Sequence, residues 1–239
     1  MEGKDIAKYL DYTNLSPQAT RRQIKKLVDE SIEYKFGGIC IAPCWTNFVQ
    51  NRLELAGAKD IEVVTVPNWV MGGGEEEMVG IADLCLEKCD EIDYIWNVYQ
   101  FGDLKQYEKT EEELKKIREL TKGKLKIIIE AYYLRISDEK IHKKGMKKII
   151  KKACELVNKS GADWIKTDSG LFKRPDFETL VEDCKLLVKY SKVPVKAAGG
   201  IKTRFQAETL INLGVKRLGT SSGVAIVTSD VEVSNDAIY

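Results

Sequence analysis

The stretch GADWIKTDSGLFKRPDFETLVEDCKLLVKYSKVPVKAAGGIKT, residues 161–203, decides the fold prediction for this chain. Two β-like runs, ADWIKT (162–167) and VPVKAA (193–198), lie on either side of a helical pattern at 176–190. A strand, a helix and a second strand in this order predict two parallel strands joined by a right-handed crossover. The stretch therefore predicts an α/β protein with a parallel sheet.

Similar units occur along the rest of the chain. Eight alternating units close into a (β/α)8 barrel, the TIM barrel, whereas fewer would leave an open sheet. We therefore predict a single TIM-barrel domain over residues 1–239. The other β-like runs are KYLDYT (8–13), GGICIA (37–42), IEVVTV (61–66), EIDYIWN (91–97), KLKIIIE (124–130) and VKRLGT (215–220). The other helical patterns occupy 17–35, 74–89, 103–121, 138–160 and 203–213. The first run is short and the last is charged, so these two are the least typical of strands.

Two of the helical patterns carry signals for their first residues. Ser16 and Pro17 supply a cap and a first turn for the helix predicted at 17–35. Thr110 and Glu113 have the spacing of a capping box within the pattern at 103–121. We therefore expect these pairs to mark the beginning of the two helices.

Composition excludes several classes of function. The 38 basic and 37 acidic residues give a net charge of +1, which offers no basis for a nucleic-acid or acidic-membrane partner. The chain has neither an apolar signal core nor an apolar run near the ~18 residues of a membrane span, so we expect a cytoplasmic protein. The six cysteines form no C-x-x-C pair and the only histidine is His142, so we expect buried thiols and neither a metal nor a cofactor.

Two lysines are the strongest functional signal. Lys166 and Lys196 each lie near the end of a β-like run and precede a turn that contains glycine. In a barrel, functional groups lie at the carboxyl ends of strands, and adjacent strands are about 4.8 Å apart. Repulsion between two ammonium groups, together with desolvation, lowers the pKa of an amine. A neutral amine attacks a carbonyl and forms a Schiff base, so we predict that both lysines are catalytic.

Other polar residues share these strand ends. Asp93 interrupts an apolar run and needs a charged partner, for which a nearby lysine is suited. It is either catalytic or a structural ion-pair partner. The further candidates for contact with a substrate are Asp11, Cys40, Glu130 and Thr167. A position in the core is the alternative for Cys40, and an anchor at the barrel mouth is the alternative for Glu130.

Two glycine-containing segments suggest an anion site. GGIKT (199–203) and GTSSG (219–223) each follow a late strand and precede a helical segment. Backbone N–H groups at such places bind phosphate, and the last two βα loops of these barrels often do so. Lys202 adds a charge, and Ser221 or Ser222 adds a hydroxyl. Ordinary tight turns are the alternative. MGGGEEE (71–77) carries three acids that would repel phosphate, which favours a flexible loop.

At these residues the chain resembles the deoxyribose-phosphate aldolase family. The resemblance implies a metal-free class I aldolase on a TIM barrel. Such an enzyme splits 2-deoxyribose 5-phosphate into acetaldehyde and glyceraldehyde 3-phosphate, so the expected partner is a small phosphorylated aldehyde. The segments that carry the resemblance, in family order, are LDYTNLSPQAT (10–20), GGICIAP (37–43), EIDYIWN (91–97), KIIIEAYYL (126–134), GADWIKTDSG (161–170), VKAAGGIKT (195–203) and RLGTSSG (217–223).

The resemblance also implies roles for single residues. Lys166 corresponds to the Schiff-base lysine and Lys196 to a second lysine that keeps the first one uncharged. Asp93 corresponds to the acid of a water-assisted proton relay, and Asp11 and Cys40 match pocket positions. The residues that match the phosphate cradle are Gly170, Gly199, Gly200, Lys202, Ser221 and Ser222.

Several positions depart from the family pattern. Tyr12 stands where the family usually has His, and Lys202 replaces the more frequent Arg. Asp168-Ser169 replaces Ser-Thr and places an acid beside the predicted phosphate. Lys202 or Lys173 could offset this acid, or it could indicate another substrate.

The carboxyl-terminal segment and the function leave alternatives open. We expect a mobile tail at 229–239, in which Tyr239 either transfers protons, as in some relatives, or belongs to a frayed end. A related lysine-dependent aldolase with another aldehyde or sugar-phosphate substrate, a non-catalytic phosphosugar-binding barrel, and a phosphosugar isomerase are the alternative functions. The oligomeric state is also open, a homo-oligomer included.

Overall fold

Eight parallel strands form a closed barrel in chain order, in a computed structural model that describes residues 1–67, 89–137 and 143–229. Pairing of the first strand with the last, for example Leu10 with Leu218, closes the barrel. This confirms the predicted TIM barrel and all eight β-like runs. The strands are β1 (Leu10–Asn14), β2 (Gly38–Ile41), β3 (Glu62–Thr65), β4 (Glu91–Ile95), β5 (Lys124–Ile128), β6 (Trp164–Lys166), β7 (Val195–Ala198) and β8 (Arg217–Thr220).

Helices surround the barrel. They are α1 (Gly3–Ala7), α2 (Arg21–Tyr34), α3 (Thr46–Leu55), α4 (Val98–Gly102), α5 (Tyr107–Leu120), α6 (Ala131–Ile136), α7 (Lys143–Ser160), α8 (Glu178–Tyr190), α9 (Arg204–Asn212) and α10 (Gly223–Thr228). Five of them, α2, α5, α7, α8 and α9, confirm predicted helical patterns. Helix α10 is the helical segment expected after GTSSG, and α1, α3, α4 and α6 were not predicted. The pattern at 74–89, the loop at 71–77, His142 and the tail after Ser229 lie outside the described residues, except for Cys89.

The predicted beginnings of two helices were wrong. Helix α2 begins after Thr20, whose hydroxyl accepts a hydrogen bond from the Gln23 backbone N–H at 3.4 Å. In return, the Gln23 side-chain oxygen accepts from the Thr20 backbone N–H at 2.8 Å. This reciprocal capping box satisfies two backbone donors, whereas Ser16 and Pro17 lie in the preceding turn.

Thr110 and Glu113 lie inside α5 and do not cap it. Glu113 is buried, and its Oε1 accepts hydrogen bonds from the Tyr94 hydroxyl at 2.7 Å and the Asn97 N–H at 3.0 Å. The Glu113 carboxylate therefore satisfies two hydrogen-bond donors, one in β4 and one just after it. The three-residue spacing of Thr110 and Glu113 therefore does not mark a helix cap, and Glu113 instead makes a tertiary contact with β4.

The apolar core lies between the strands and the helices. On α2 it contains Ile24 and Val28, which pack with Ile39 and Val63 of the sheet. Several fully buried charged residues point into the interior of the barrel. The apolar side chains there form a small cluster around Cys40. No helix in the described part of the chain has the length and apolar character that crossing a membrane requires. The candidate site lies among the buried charged residues of the barrel interior.

Candidate active site

The three residues predicted to be catalytic meet inside the barrel. Lys166 and Lys196 are register partners on β6 and β7. Their amines hydrogen-bond the same oxygen, Oδ2 of Asp93, at 2.8 and 3.1 Å. Asp93 is fully buried on β4. The structure therefore places one carboxylate between the two amines.

A third lysine holds the other oxygen of Asp93. Lys126 Nζ lies 3.0 Å from Asp93 Oδ1 and also forms an ion pair with Glu91. Lys126 and Glu91 are fully buried, and the Lys126 amine lies 5.5 Å from the centre of the Trp164 ring. Neither residue was predicted to belong to the site. Lys126 is paired with Asp93 across β4 and β5, a register that the sequence does not reveal.

Asp11 extends this network towards β8. One of its oxygens accepts a hydrogen bond from Arg217 at 2.9 Å, and the other forms an ion pair with Lys196. Burial acts to raise the pKa of Asp11, but Lys196, Lys126 and Arg217 outweigh burial and hold that pKa well below its ordinary value. Asp11 is therefore an anion at neutral pH. Arg217 was not predicted, and it also binds Glu62 at 2.9 Å.

The charges of Lys196 and Asp93 are also fixed. Burial acts to lower the pKa of Lys196, but the anions of Asp11 and Asp93 raise it well above its ordinary value. The Lys196 amine therefore keeps its positive charge. Burial acts to raise the pKa of Asp93, but Lys126, Lys166 and Lys196 lower it. Before any reaction, Lys196 is therefore a cation and Asp93 an anion at neutral pH.

Lys166 connects this charged interior with an open cleft of about 1140 Å³ at the carboxyl ends of the strands. Side chains that follow β1, β6, β7 and β8, together with one face of α2, line the cleft. The predicted site residues in its lining are Lys166, Gly170, Gly199, Gly200, Lys202 and Ser221. Those that lie outside the lining are Asp11, Cys40, Asp93, Glu130, Thr167, Lys196 and Ser222. The cleft therefore meets the network at Lys166.

Glycine-containing turns form one wall of the cleft. Gly170, Gly199 and Gly200 have φ values of +98°, +103° and +80°, which only glycine adopts without strain. Within the described chain, the backbone N–H groups of these glycines and of Ser221 have no protein acceptor. They are therefore available to an anion in the cleft.

The helix start itself contributes less than predicted. Oε1 of Gln206 accepts hydrogen bonds from the N–H groups of Lys202 and Thr203, at 2.8 and 3.2 Å. These donors are consequently occupied by the capping box of α9. The Ser222 N–H is likewise occupied by the Thr220 hydroxyl, at 2.9 Å. The unoccupied donors belong to the turns before the helices.

Two residues predicted to contact substrate are part of the framework. The Thr167 hydroxyl donates to the Ala198 carbonyl and accepts from the Ala198 N–H, both at 3.0 Å, which joins β6 to β7. Cys40 is fully buried and packs in a cluster with Val64 and Ile128. Burial raises the pKa of its thiol. In this structure neither side chain lines the cleft.

Glu130 anchors the loop after β6. It is 1% exposed, with a left-handed φ of +51°, and its Oε1 accepts from the Ser169 N–H at 3.1 Å. Its other carboxyl oxygen has no hydrogen-bond partner among the described residues. Burial, with a smaller contribution from Asp168, raises the pKa of Glu130 to about 7. Glu130 therefore titrates near neutral pH.

Asp168 is paired with a residue that the sequence did not indicate. Its Oδ2 accepts hydrogen bonds from Arg174 at 2.7 and 3.2 Å, and its Oδ1 accepts from the Tyr132 N–H at 2.9 Å. Neither Lys202 nor Lys173 offsets this acid, because Arg174 already does. A seven-residue loop closes here, and pairing within a loop leaves no periodic signal in a sequence.

Tyr12 lines the cleft from β1. Its hydroxyl donates to Glu30 Oε2 at 2.9 Å. Burial and the Glu30 carboxylate raise the pKa of Tyr12. Its proton is therefore directed towards α2 and stays in place at neutral pH.

Comparisons with known proteins show which family the chain belongs to. Residues 7–226 match the model of the DeoC/LacD family aldolases. Deoxyribose-phosphate aldolase of Thermococcus gammatolerans is 39% identical over 95% of this chain and 97% of its own, and that of Treponema denticola is 38% identical over 94% and 99%.

Solved structures show the same relationship. An aldolase described as QR15 has a TM-score of 0.78 at 28% identity, covering 93% of this chain and 94% of its own. The tetrameric deoxyribose phosphate aldolase of Aeropyrum pernix has a TM-score of 0.77 at 26% identity, covering 95% and 91%. The family match spans the barrel and every described residue of the charged network, and the chain accordingly belongs to the DeoC/LacD family of aldolases.

Proposed function

We propose that this chain is a Schiff-base aldolase that cleaves 2-deoxyribose 5-phosphate into acetaldehyde and glyceraldehyde 3-phosphate. One observation carries the proposal. The amine of Lys166 connects the cleft to a buried carboxylate, Asp93, which it shares with the cation of Lys196. The names of the relatives support the choice of substrate.

The chemistry starts at the Lys166 amine. In its uncharged form the amine attacks the aldehyde carbon of the open-chain sugar, and loss of water gives an iminium ion. The bond between C2 and C3 then breaks as the C3 hydroxyl loses its proton, and the electron pair of that bond forms an enamine on Lys166. The C3 fragment leaves as glyceraldehyde 3-phosphate. Protonation of the enamine at C2 and hydrolysis release acetaldehyde and restore the amine.

Asp93 and Lys196 supply the proton transfers in this proposal. Asp93 is an anion 2.8 Å from the Lys166 amine and acts as the base through a water molecule. Lys196 remains a cation at the opposite side of the same oxygen and keeps a proton within reach of the relay.

The network is arranged for the charges that form. The iminium ion carries one positive charge at the Lys166 nitrogen, and Asp93 Oδ2 already lies 2.8 Å from that atom. Lys126 holds the other oxygen of Asp93, so the carboxylate does not have to reorient during the reaction. A preorganised, buried carboxylate of this kind stabilises the developing positive charge.

We place the phosphate of the substrate against the glycine wall, which is the side of the cleft formed by Gly170, Gly199, Gly200 and Ser221. The unoccupied N–H groups of Gly170, Gly199, Gly200 and Ser221 support this placement. Lys202 is exposed at the same wall and supplies a positive charge. The phosphate would thus lie on backbone donors while the aldehyde reaches Lys166.

The contacts of Asp168 weaken the argument for another substrate. The acid at Asp168 is the reason to expect a different sugar phosphate, but both of its oxygens accept hydrogen bonds from protein donors. The same site also supports a catalytic function over a non-catalytic barrel or an isomerase, because it is built around the amines. A cytoplasmic location, a homo-oligomer, and the absence of nucleic-acid, membrane, metal and cofactor partners stay predictions.

Turnover by lysine variants tests the proposed function. We expect Lys166→Ala to abolish cleavage of 2-deoxyribose 5-phosphate, and a chelator to leave the parent enzyme unaffected. Lys26→Ala is a matched control, because Lys26 lines the same cleft on α2 and pairs with Glu30 at 3.6 Å. Full activity of Lys166→Ala, or loss of parent activity to a chelator, would contradict the proposal.

A further inference from the structure

The loop after β6 closes through a buried ion pair. The Arg174 guanidinium donates to Asp168 Oδ2 through Nε at 3.2 Å and Nη2 at 2.7 Å. The side chains of Arg174 and Asp168 are 3% and 1% exposed. Gly170 and Lys173 lie in the chain between these residues. The pair therefore fixes the ends of a loop that faces the cleft.

Arg174 also joins this loop to α8. Its Nη2 lies 2.9 Å from Asp183 Oδ2, and its Nη1 donates to the Thr179 hydroxyl at 3.3 Å. The other oxygen of Asp183 accepts from Arg135 of α6 at 2.6 Å. Burial acts to lower the pKa of Arg174, but Asp168 and Asp183 outweigh it and raise that pKa. The guanidinium is a fixed charge between two carboxylates.

Asp168 is held on its other side by α6. Its Oδ1 accepts from the Tyr132 N–H at 2.9 Å, and the Arg174 guanidinium lies 5.2 Å from the centre of the Tyr132 ring. Loop, α6 and α8 thus meet at one ion pair. An arginine that contacts Asp168 through two donors at such a junction restricts both the position and the orientation of the loop.

The pair also lies beside the second glycine turn. A Cβ atom placed on Gly199 would lie 3.8 Å from Arg174 Nε and 3.8 Å from Asp168 Oδ2. Gly199 therefore lies next to the ion pair, whereas Gly170 belongs to the loop that the pair closes. The N–H groups of both glycines are among those proposed to receive the phosphate.

The charges of Arg174 and Asp168 also act on the proposed phosphate site. The Asp168 carboxylate lies beside these donors, and without Arg174 it would repel a phosphate dianion. With Arg174 in place the two charges cancel. Replacing arginine by lysine would keep the charge but lose the two-point contact.

We propose that Arg174 and Asp168 form a positioning pair that adapts the cleft to the phosphate group of its substrate. The pair aligns the Gly170 and Gly199 donors and cancels the charge of Asp168. The inference rests on the proposed function and deepens it. It makes Arg174 a determinant of selectivity for phosphorylated over non-phosphorylated sugar, although Arg174 itself is turned to carboxylates.

A double-mutant comparison tests this inference. We expect Arg174→Met to raise KM for 2-deoxyribose 5-phosphate about 10- to 100-fold with a kcat within about threefold of the parent. With non-phosphorylated 2-deoxyribose, kcat/KM should stay within about threefold. Adding Asp168→Ser should restore much of the lost KM, because it removes the uncompensated acid. Arg174→Lys should be intermediate and supplies the comparison if Arg174→Met does not fold.

Calorimetric binding of glyceraldehyde 3-phosphate and of inorganic phosphate separates this inference from the proposed function. Weaker binding by Arg174→Met, with recovery in the double variant, supports the pair even if the parent protein does not cleave the sugar. Equal losses for both sugars, or a double variant that binds phosphate no better than Arg174→Met, would overturn the inference. Either result would show that the pair only holds the fold.

Discussion

Lys126 and Asp93 face each other across β4 and β5, and the amine lies 3.0 Å from Asp93 Oδ1. This contact leaves the other oxygen of Asp93 to Lys166 and Lys196. Asp93 therefore has one oxygen for the framework and one for the reaction. The orientation of the proposed base depends on a lysine that does not line the cleft.

The first prediction concerns Lys126→Met. Removing this cation frees Asp93 Oδ1 and leaves Glu91 without its partner, so we expect kcat to fall about 10- to 100-fold with a smaller change in KM. The free energy of unfolding should fall by about 3 kcal/mol, because buried charges lose their partner. Steady-state kinetics and urea unfolding measure both.

Lys124→Met is the matched control for this variant. Lys124 begins the same strand, is 48% exposed at its side chain and pairs with Glu62 at the surface. We expect at most about 1 kcal/mol of lost stability and an unchanged kcat. A parental kcat for Lys126→Met would show that Asp93 does not need this anchor.

The second prediction concerns Glu130 and pH. Burial raises the pKa of Glu130 from 4.5 to about 7, so the folded state binds a proton that the unfolded state releases. The associated stability is fully present below the unfolded pKa and is lost as the pH rises through 7. The difference amounts to about 3 kcal/mol. Glu130→Gln keeps an acceptor for Ser169 and should remove this part of the pH dependence.

Urea unfolding of the parent and of Glu130→Gln, at several pH values from about 5 to about 8, measures the effect. The parent should lose stability relative to the variant as the pH rises. Identical pH dependences of the two proteins would show that Glu130 does not titrate in this range.

The third prediction concerns Gly199→Ala. The φ of +103° is strained for alanine, so the turn should shift and displace the N–H groups of the glycine wall. We expect KM for 2-deoxyribose 5-phosphate to rise about tenfold or more. Gly214 has the same φ of +103° and lies outside the lining of the cleft, beside Val188. Gly214→Ala should therefore destabilise the protein at least as much with an unchanged KM.

The fourth prediction concerns Tyr12→Phe. The Tyr12 hydroxyl donates to Glu30 and keeps its proton at neutral pH, so it has no role in the proposed proton relay. We expect about 1 kcal/mol of lost stability and a kcat/KM within about threefold of the parent. A loss beyond about 100-fold would instead place Tyr12 among the catalytic residues.

The alternation of β-like and helical runs was enough to predict the barrel. Each strand is short and contains apolar residues, and even the charged run at Arg217 pairs as predicted because its charge is neutralised inside the barrel by Asp11. Helix α3 was not predicted. Its fully buried apolar residues are only Val49 and Leu53, so its periodicity is weak.

Strand ends were enough to predict which residues meet, but not how their charges pair. Lys166, Lys196 and Asp93 are together because parallel strands bring their carboxyl ends to one mouth. The contact of Lys126 depends on strand register, and that of Arg174 on the closing of a loop. Both are three-dimensional properties without a local sequence pattern.

Borohydride reduction in the presence of 2-deoxyribose 5-phosphate, followed by peptide mass spectrometry, tests the central claim most directly. The proposed mechanism predicts one stable substrate-derived adduct on Lys166 and none on Lys126 or Lys196, which stay in their ion pairs. An adduct on another lysine, or continued turnover without any trapped adduct, would contradict it.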